Sequence, residues 1–489
     1  MAYCDVVIRG ATVVDGSGGP AFVADVAVAD GRIVAVGPGL QYEGAKDVDA
    51  AGLTLTPGFI DTHTHDDTSV IETPEMPAKV SQGVTTVVVG NCGISAAPVR
   101  LKGGPDAALA DPMVLLGGRE LFRYRTFAEY VRAVDAARPA VNVAALVGHT
   151  ALRQNFLDSL DRAATAEEIA AMRADLEEAL AAGALGLSSG LAYANASAAP
   201  MQEVAALAEA LRGRGAVYAT HLRTESEAIL DAMREAGAIG QAGAAPVVIS
   251  HLKCAGVDNW GRSGEVLEEL EQMRAGQGMR TRVGCDCYPY AAGSSLLDLK
   301  QVDERVEIMI TWSRAHPEAA GRALGSIAEE WGVTQVEAAR RLQPAGAIYH
   351  SIAEADMRWI LAHEATMIGS DGLPHDPRPH PRLWGTFPRV LGKYCREEKL
   401  FPLETAVRKM TGLAADMFGF KDRGYVREGA QADLVLFDAE KVIDRATYAE
   451  PVQRAEGIVS VWVNGVLTYT AEGVTGERAG RFLKRGWRS

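Results

Sequence analysis

The sequence predicts an α/β fold: a (β/α)8 barrel of parallel strands, with a small β-sandwich domain built from both termini and an insertion after the seventh strand. Three observations carry this prediction. Eight short apolar runs recur through the middle of the chain, several of them separated by helical patterns. Both ends have a different texture, with short strand-like runs broken by Asp-Gly or Asn-Gly turns. At 489 residues the chain exceeds one ordinary core but accommodates a barrel of roughly 250 residues and a smaller domain.

Taken in order, the first strands are Val6 to Gly10, Val23 to Val28 and Arg32 to Val36, with turns at Asp15-Gly16 and Asp30-Gly31. The far end repeats this in Ala432 to Phe437 and Ile458 to Val463, the latter followed by Asn464-Gly465. Neither end is large enough for a core of its own. They are expected to pack together as one domain over residues 1–57 plus 415–489, with the barrel over 58–414 inserted between them. The barrel opens with Gly58 to His65. Its later strands are marked by apolar runs at Thr85 to Val89, Val141 to Val147, Ala184 to Leu187, Ala216 to Ala219, Pro246 to Ile249, Thr281 to Val283 and Thr366 to Ile368, the fourth ending in Ser188-Ser189-Gly190 and the seventh in Cys287-Tyr288. The clearest helix starts at Thr165-Ala166-Glu167-Glu168, a capping box, continues through Ile169, Met172, Leu176 and Leu180, and stops at Gly183. Strand and helix in alternation imply parallel pairing. Residues from about 294 to 349 are too long and too charged for a simple connection, and are read as an insertion over the barrel mouth.

Composition narrows the function. Apolar content of 48% with 23% charged residues is that of a soluble globular protein. A net charge of −14 argues against nucleic-acid binding. No apolar run of membrane-spanning length and no signal peptide is visible, and the six cysteines lack the dense spacing of a secreted domain, so a cytoplasmic protein with free thiols is expected.

Barrels of this kind carry their chemistry at the C-terminal ends of the strands. Those ends read His63 and His65 on the first, Cys92 within Gly90-Asn91-Cys92-Gly93 on the second and His149 on the third. Tyr193 follows the fourth, His221 ends the fifth, His251 and Lys253 the sixth, Tyr288 the seventh and Asp371 the eighth. Alternation along a strand puts His63 and His65 on one face. Each of these residues alone reads more blandly: a buried cysteine as a small hydrophobe, a lone histidine as a satisfied core residue. Metal-binding types on five strand ends together point to a metal site. His149 is left as a supporting or structural residue, and Cys285 and Cys287, on one face beside Asp286, as packing.

The Pro57-to-His65 opening, the histidines ending the fifth and sixth strands and the aspartate ending the eighth resemble the amidohydrolase superfamily. Gly90-Asn91-Cys92-Gly93, His251-Leu252-Lys253, Gly369-Ser370-Asp371-Gly372-Leu373-Pro374-His375-Asp376 and His380 to Pro388 are similar to the N-acyl-D-amino-acid deacylases within it. The resemblance implies a metal-dependent barrel with a small β domain. Many amidohydrolases use a carboxylated lysine from the fourth strand, which this chain lacks; the resemblance gives that role to Cys92. It implies a tight Zn²⁺ site of Cys92, His221 and His251, a weaker one of His63, His65 and Asp371, and a small-molecule N-acyl amino acid as substrate. Thiolate and imidazole are a soft donor set that suits zinc. Asp371 would move the proton from water to the departing amine, and the Tyr193 hydroxyl would help polarise the carbonyl. Lys253, Tyr288, Ser294 and Arg382 would hold the substrate's α-carboxylate. The D configuration rests on the resemblance alone. Leu296, Leu297 and Met309 suit an apolar side chain, Lys300 and Arg305 an acidic one such as D-glutamate; the acidic reading is adopted. The alternatives are a deacylase of hydrophobic D-amino acids, a cyclic-amide hydrolase of the hydantoinase or dihydropyrimidinase type, and a non-enzymatic scaffold.

Overall fold

Eight parallel strands ring the centre of the structure, a computed structural model that describes residues 3–42, 46–103, 108–276 and 282–486. They are Phe59–Asp61, Val84–Val89, Asn142–Ala145 continuing as Val147–Gly148, Gly186–Gly190, Val217–His221, Val247–Ile249, Val283–Cys287 and Thr366–Ile368. The hydrogen-bonded ladders form two arcs rather than one closed ring. The first three strands make one arc, and the second half of the third strand through the eighth makes the other. At one seam the Leu146 N–H donates to the Val89 carbonyl at 2.9 Å; at the other the Thr62 N–H reaches Ile368 at 3.3 Å and Thr64 bridges Gly372.

The barrel interior is apolar at its lower end, where Ile60, Val88, Ala144, Leu185, Val217, Val248 and Met367 meet Ala414, Met417 and Phe418. A polar cluster is therefore confined to the opposite, C-terminal rim. Outside the strands lie the helices. Thr165 caps Ala166–Ala182 with a full capping box, and Gly183 ends the helix at φ 113°. No helix among the described residues is long and apolar enough to cross a membrane.

Two strands extend beyond their apolar runs to the ends expected for them. The fourth runs Gly186–Gly190, past the run Ala184 to Leu187, and the seventh runs Val283–Cys287, past the run Thr281 to Val283; Thr281 itself lies outside the described residues. Both continue through small or polar side chains (Ser188-Ser189-Gly190 and Cys285-Asp286-Cys287), which carry no apolar signal.

Strands from the two ends of the chain share a nine-stranded sheet. Thr54–Pro57 pairs with Leu434–Phe437 on one side and with Val6–Val13 on the other, joining the termini. The sandwich is thus one continuous sheet curled over its own core, not two separate ladders. Its far edge returns to meet the start of the C-terminal strands through Ile33 N–H to Ala430. Ile8, Val26, Ile33, Leu55, Leu434 and Trp462 fill it. The boundary expected at 415 falls within helix Gly412–Phe418, whose apolar face plugs the barrel. Beyond the seventh strand, Gly293–Leu296, Ile308–Ser313 and Ala345–Tyr349 form an antiparallel sheet that packs with helices Leu324–Trp331 and Gln335–Leu342 on a core of their own.

Candidate functional site

At the C-terminal rim the strand ends converge on one buried sulfur. Cys92 Sγ lies 3.2 Å from His63 Nε2, 3.4 Å from His251 Nε2 and 3.9 Å from His221 Nδ1. Asp371 Oδ1 is 3.4 Å from His63 Nε2 and 3.2 Å from His65 Nε2. Two groups follow, each with its donor atoms within 4.8 Å of one another: His63, His65, Cys92 and Asp371, and Cys92, His221 and His251. The two sets expected to be separate therefore share Cys92, which faces both.

Local backbone explains how the strands deliver these side chains. Cys92, His251 and Asp371 all adopt positive φ, at 53°, 35° and 49°. Leaving the extended conformation turns each side chain from the strand's own face over the mouth of the barrel. The glycines around Cys92 make the turn possible: at Gly90, itself at φ 77°, an added Cβ would stand 2.2 Å from the Leu146 carbonyl oxygen. Asp67 Oδ1 accepts from the Ala96 N–H at 3.3 Å and ties down the far end of the Cys92 loop.

Around this cluster the first strand is anchored from below. Buried Lys79 donates to Asp61 at 2.8 Å, Thr64 at 2.9 Å and Ser370 at 3.0 Å, joining the first and eighth strands. Asp286 Oδ1 accepts the His251 N–H at 2.8 Å and lies 3.3 Å from His63 Nδ1. Glu225 Oε1 lies 2.9 Å from His251 Nδ1 and 2.6 Å from Lys253 Nζ. Sequence reasoning missed the roles of Asp286 and Glu225. For Asp286 a signal existed: Cys285 and Cys287 sit in the helix-facing core, so strand alternation aims the residue between them inward. Glu225 stands in a loop, where no periodicity marks a side chain's direction. His149 is drawn away from the cluster to Glu203 Oε1, 2.9 Å away, an oxygen it shares with Arg153.

Charge follows from this packing. Burial alone would push the Cys92 thiol up, but His63 and His251 hold it well below the ordinary thiol range, as a thiolate. Burial opposes the charged form of His65 as well, yet the Asp371 carboxylate raises it to about 9. Asp371 is likewise penalised by burial and held far down by Arg382 and His251. Without a cation the histidines carry the positive charge that offsets this thiolate and carboxylate; with their protons released, the same buried thiolate, carboxylate and four imidazoles would be a donor set fit for a borderline-soft divalent cation.

Beside the cluster opens a cavity of about 1310 Å³, lined among others by Tyr193, His221, Lys253, Tyr288, Ser294 and Asp371. Arg382 Nη2 lies 2.9 Å from Asp371 Oδ2 and donates to the Ser294 carbonyl at 3.1 Å, while its guanidinium stacks 4.6 Å from the Tyr288 ring centroid. Lys253 Nζ is 5.9 Å from the same ring. The Tyr288 hydroxyl, Ser294 Oγ and Arg382 Nε and Nη1 are buried without partners among the described residues. Such unsatisfied donors are costly unless a ligand completes them. Tyr193 packs its ring 4.8 Å from that of His221. Lys300 and Arg305 both line the cavity, but the Arg305 guanidinium is committed to Asp258 and Asp303.

Comparison with known proteins gives the family. A model of the amidohydrolase family matches residues 46–469. An N-acyl-D-aspartate deacylase of Alcaligenes xylosoxydans xylosoxydans is 50% identical over 99% of this chain and 96% of its own length. The crystal structure of a D-aminoacylase superposes with a TM-score of 0.94 at 48% identity, covering 99% of this chain and 100% of that one. The N-acyl-D-glutamate deacylase of Bordetella bronchiseptica, solved with zinc and a phosphonate mimic of the tetrahedral intermediate, gives 0.93 at 44% identity, with 99% and 100% covered.

Proposed function

This chain belongs to the amidohydrolase family, and we propose that its rim site carries out zinc-dependent hydrolysis of N-acyl-D-amino acids to a carboxylate and the free D-amino acid. The observation that carries the reading is the placement of Cys92 Sγ between His63 Nε2 and His251 Nε2, with unpartnered donors of Tyr288, Ser294 and Arg382 close by. Cys92, His221 and His251 would hold the tighter ion, and His63, His65 and Asp371 a weaker one. When bound, zinc supplies Lewis-acid polarisation of the acyl carbonyl and lowers the pKa of water towards roughly 7.

The chain's own groups do the rest. Arg382, Lys253, Tyr288 and Ser294 grip the α-carboxylate and set the amide against the rim; the Arg382 Nε–H and Nη1–H groups, without partners among the described residues, are free to donate to it. Tyr193 donates its hydroxyl towards the acyl oxygen. Asp371 accepts a proton from the attacking water and passes it to the amide nitrogen, which leaves as the amine. An acidic side chain on the substrate fits best, with Lys300 as its partner cation at the cavity wall. A cytoplasmic setting belongs to the same reading, supported by the free thiols of all six cysteines.

The test is a panel of N-acetyl-D- and N-acetyl-L-amino acids together with a hydantoin, with zinc measured on the same preparation. Release of D-aspartate or D-glutamate ahead of apolar D-amino acids is expected. Turnover of the hydantoin alone, or of L substrates alone, overturns the proposal.

A further inference from the structure

The Glu225 carboxylate touches both halves of the site. It follows the fifth strand by four residues, is mostly buried, with 12% of its side chain exposed, and lines the cavity. Its Oε1 lies 2.9 Å from His251 Nδ1 and 2.6 Å from Lys253 Nζ. The other ring nitrogen of His251, Nε2, faces Cys92 Sγ at 3.4 Å. An imidazole that offers Nε2 to a cation keeps its proton on Nδ1, so the contact to Glu225 is a donated hydrogen bond. Lys253 Nζ is also 2.8 Å from that Nδ1, but an ammonium has only protons to give. The acceptors left to Lys253 are Glu225 Oε1 and the His251 carbonyl, 3.1 Å away. One carboxylate oxygen thus accepts a hydrogen bond from a ligand imidazole and another from a cation of the substrate clamp. Its second oxygen stands 3.8 Å from His221 Nε2.

We propose that Glu225 is a positioning residue that locks His251 into its metal-binding tautomer and anchors Lys253 at the same oxygen, so that metal affinity and carboxylate recognition are coupled through one side chain. The Lys253 half rests on the deacylase reading; the His251 half does not. A carboxylate behind a ligand imidazole orients the ring and strengthens it as a donor. The same carboxylate keeps Lys253 charged and in place when no substrate is bound.

Zinc affinity, measured by competition with a chromogenic chelator, decides the first half. Glu225→Ala is expected to weaken zinc binding by about 10–100-fold. Glu225→Gln, which keeps an oxygen to accept Nδ1–H, stays close to the wild type. Coupling appears as non-additivity: Lys253→Ala changes zinc affinity in the wild-type background and not in Glu225→Ala. In kinetics at saturating zinc, Glu225→Gln raises KM for the N-acetyl-D-amino acid more than it lowers kcat, because Lys253 has lost its charged anchor. Wild-type zinc affinity in folded Glu225→Ala overturns the proposal, as does wild-type KM in Glu225→Gln, a variant of unchanged volume that carries the test should the alanine variant not fold. If the wild type turns over no N-acyl-D-amino acid, the proposed function fails, while the zinc titrations still decide the contacts of Glu225.

Discussion

Cys92, His251 and Asp371 stand in left-handed backbone, a conformation that costs such residues on the order of 1–3 kcal/mol each and persists only where the surroundings enforce it. Here the enforcement is visible: Asp67 on the Cys92 loop, Asp286 on the His251 N–H, and the His63 carbonyl accepting from the Asp371 N–H at 2.7 Å. Two predictions belong to this scale. Asp371→Asn should retain zinc at the tighter site by metal analysis and lose about 10²–10⁴-fold in kcat, since the proton shuttle is gone; near-normal turnover would remove Asp371 from that role. Arg382→Ala should raise KM by about 10–100-fold, the loss expected for a charge-assisted contact, and blunt discrimination against substrates whose α-carboxylate is an amide. An unchanged KM for the acid substrate would contradict the clamp.

Between elements, the helix Met201–Ala208 is fastened to the helix His149–Phe156 by a single buried carboxylate. Glu203 accepts from His149 Nε2, from Arg153 and from the Ala164 N–H at 2.8 Å. Burial would push its pKa up, but His149 and Arg153 draw it down to about 2 from an ordinary 4.5. A carboxylate depressed in this way contributes stability that is fully present above about pH 4.5 and is lost as pH falls through about 2. Melting temperatures of chelator-treated protein should therefore drop through this window more steeply in the wild type than in Glu203→Gln. At neutral pH that variant should be less stable by about 3–5 kcal/mol, because Arg153 is left buried without its counter-charge. Parallel pH profiles would show that Glu203 is not the group responsible.

Across the whole molecule, one residue ties the terminal sheet to the barrel. Asp433, 5% exposed, accepts from Asn142 Nδ2 at 3.2 Å, from the Asn464 N–H at 2.7 Å and from Arg423. Asn142 begins the third barrel strand, so this carboxylate joins the C-terminal strands, the loop before them and the barrel wall. Asp433→Ala should cost about 3–5 kcal/mol in urea unfolding, with zinc affinity of the folded protein unchanged. A loss within about 0.5 kcal/mol, as for an ordinary surface site, would show that the other contacts between the two bodies, such as Asn464 Nδ2 to Asn142 Oδ1, suffice without this carboxylate.

Much of the site is legible in the sequence because barrel chemistry is tied to strand ends, and a strand's alternation is written in its residues. His63, His65, His221 and His251 can be placed that way, and Cys92 and Asp371 through motifs that turn the chain just after a strand. Small and polar strand residues, as in Cys285-Asp286-Cys287, carry no apolar signal, so the inward role of Asp286 goes unread although the strand itself is placed. Periodicity also says nothing about a side chain in a loop, so Glu225 stays invisible there, and the commitment of Arg305 to Asp258 and Asp303 cannot be foreseen. The residue types and their order along the chain were sufficient for the barrel and for a metal site at its rim, and the resemblance of the motifs supplied the class of reaction. Which groups share Cys92, what Glu225 connects and how the termini curl into one sheet were settled by the closure of the fold, because those contacts join residues whose neighbourhood no local pattern encodes.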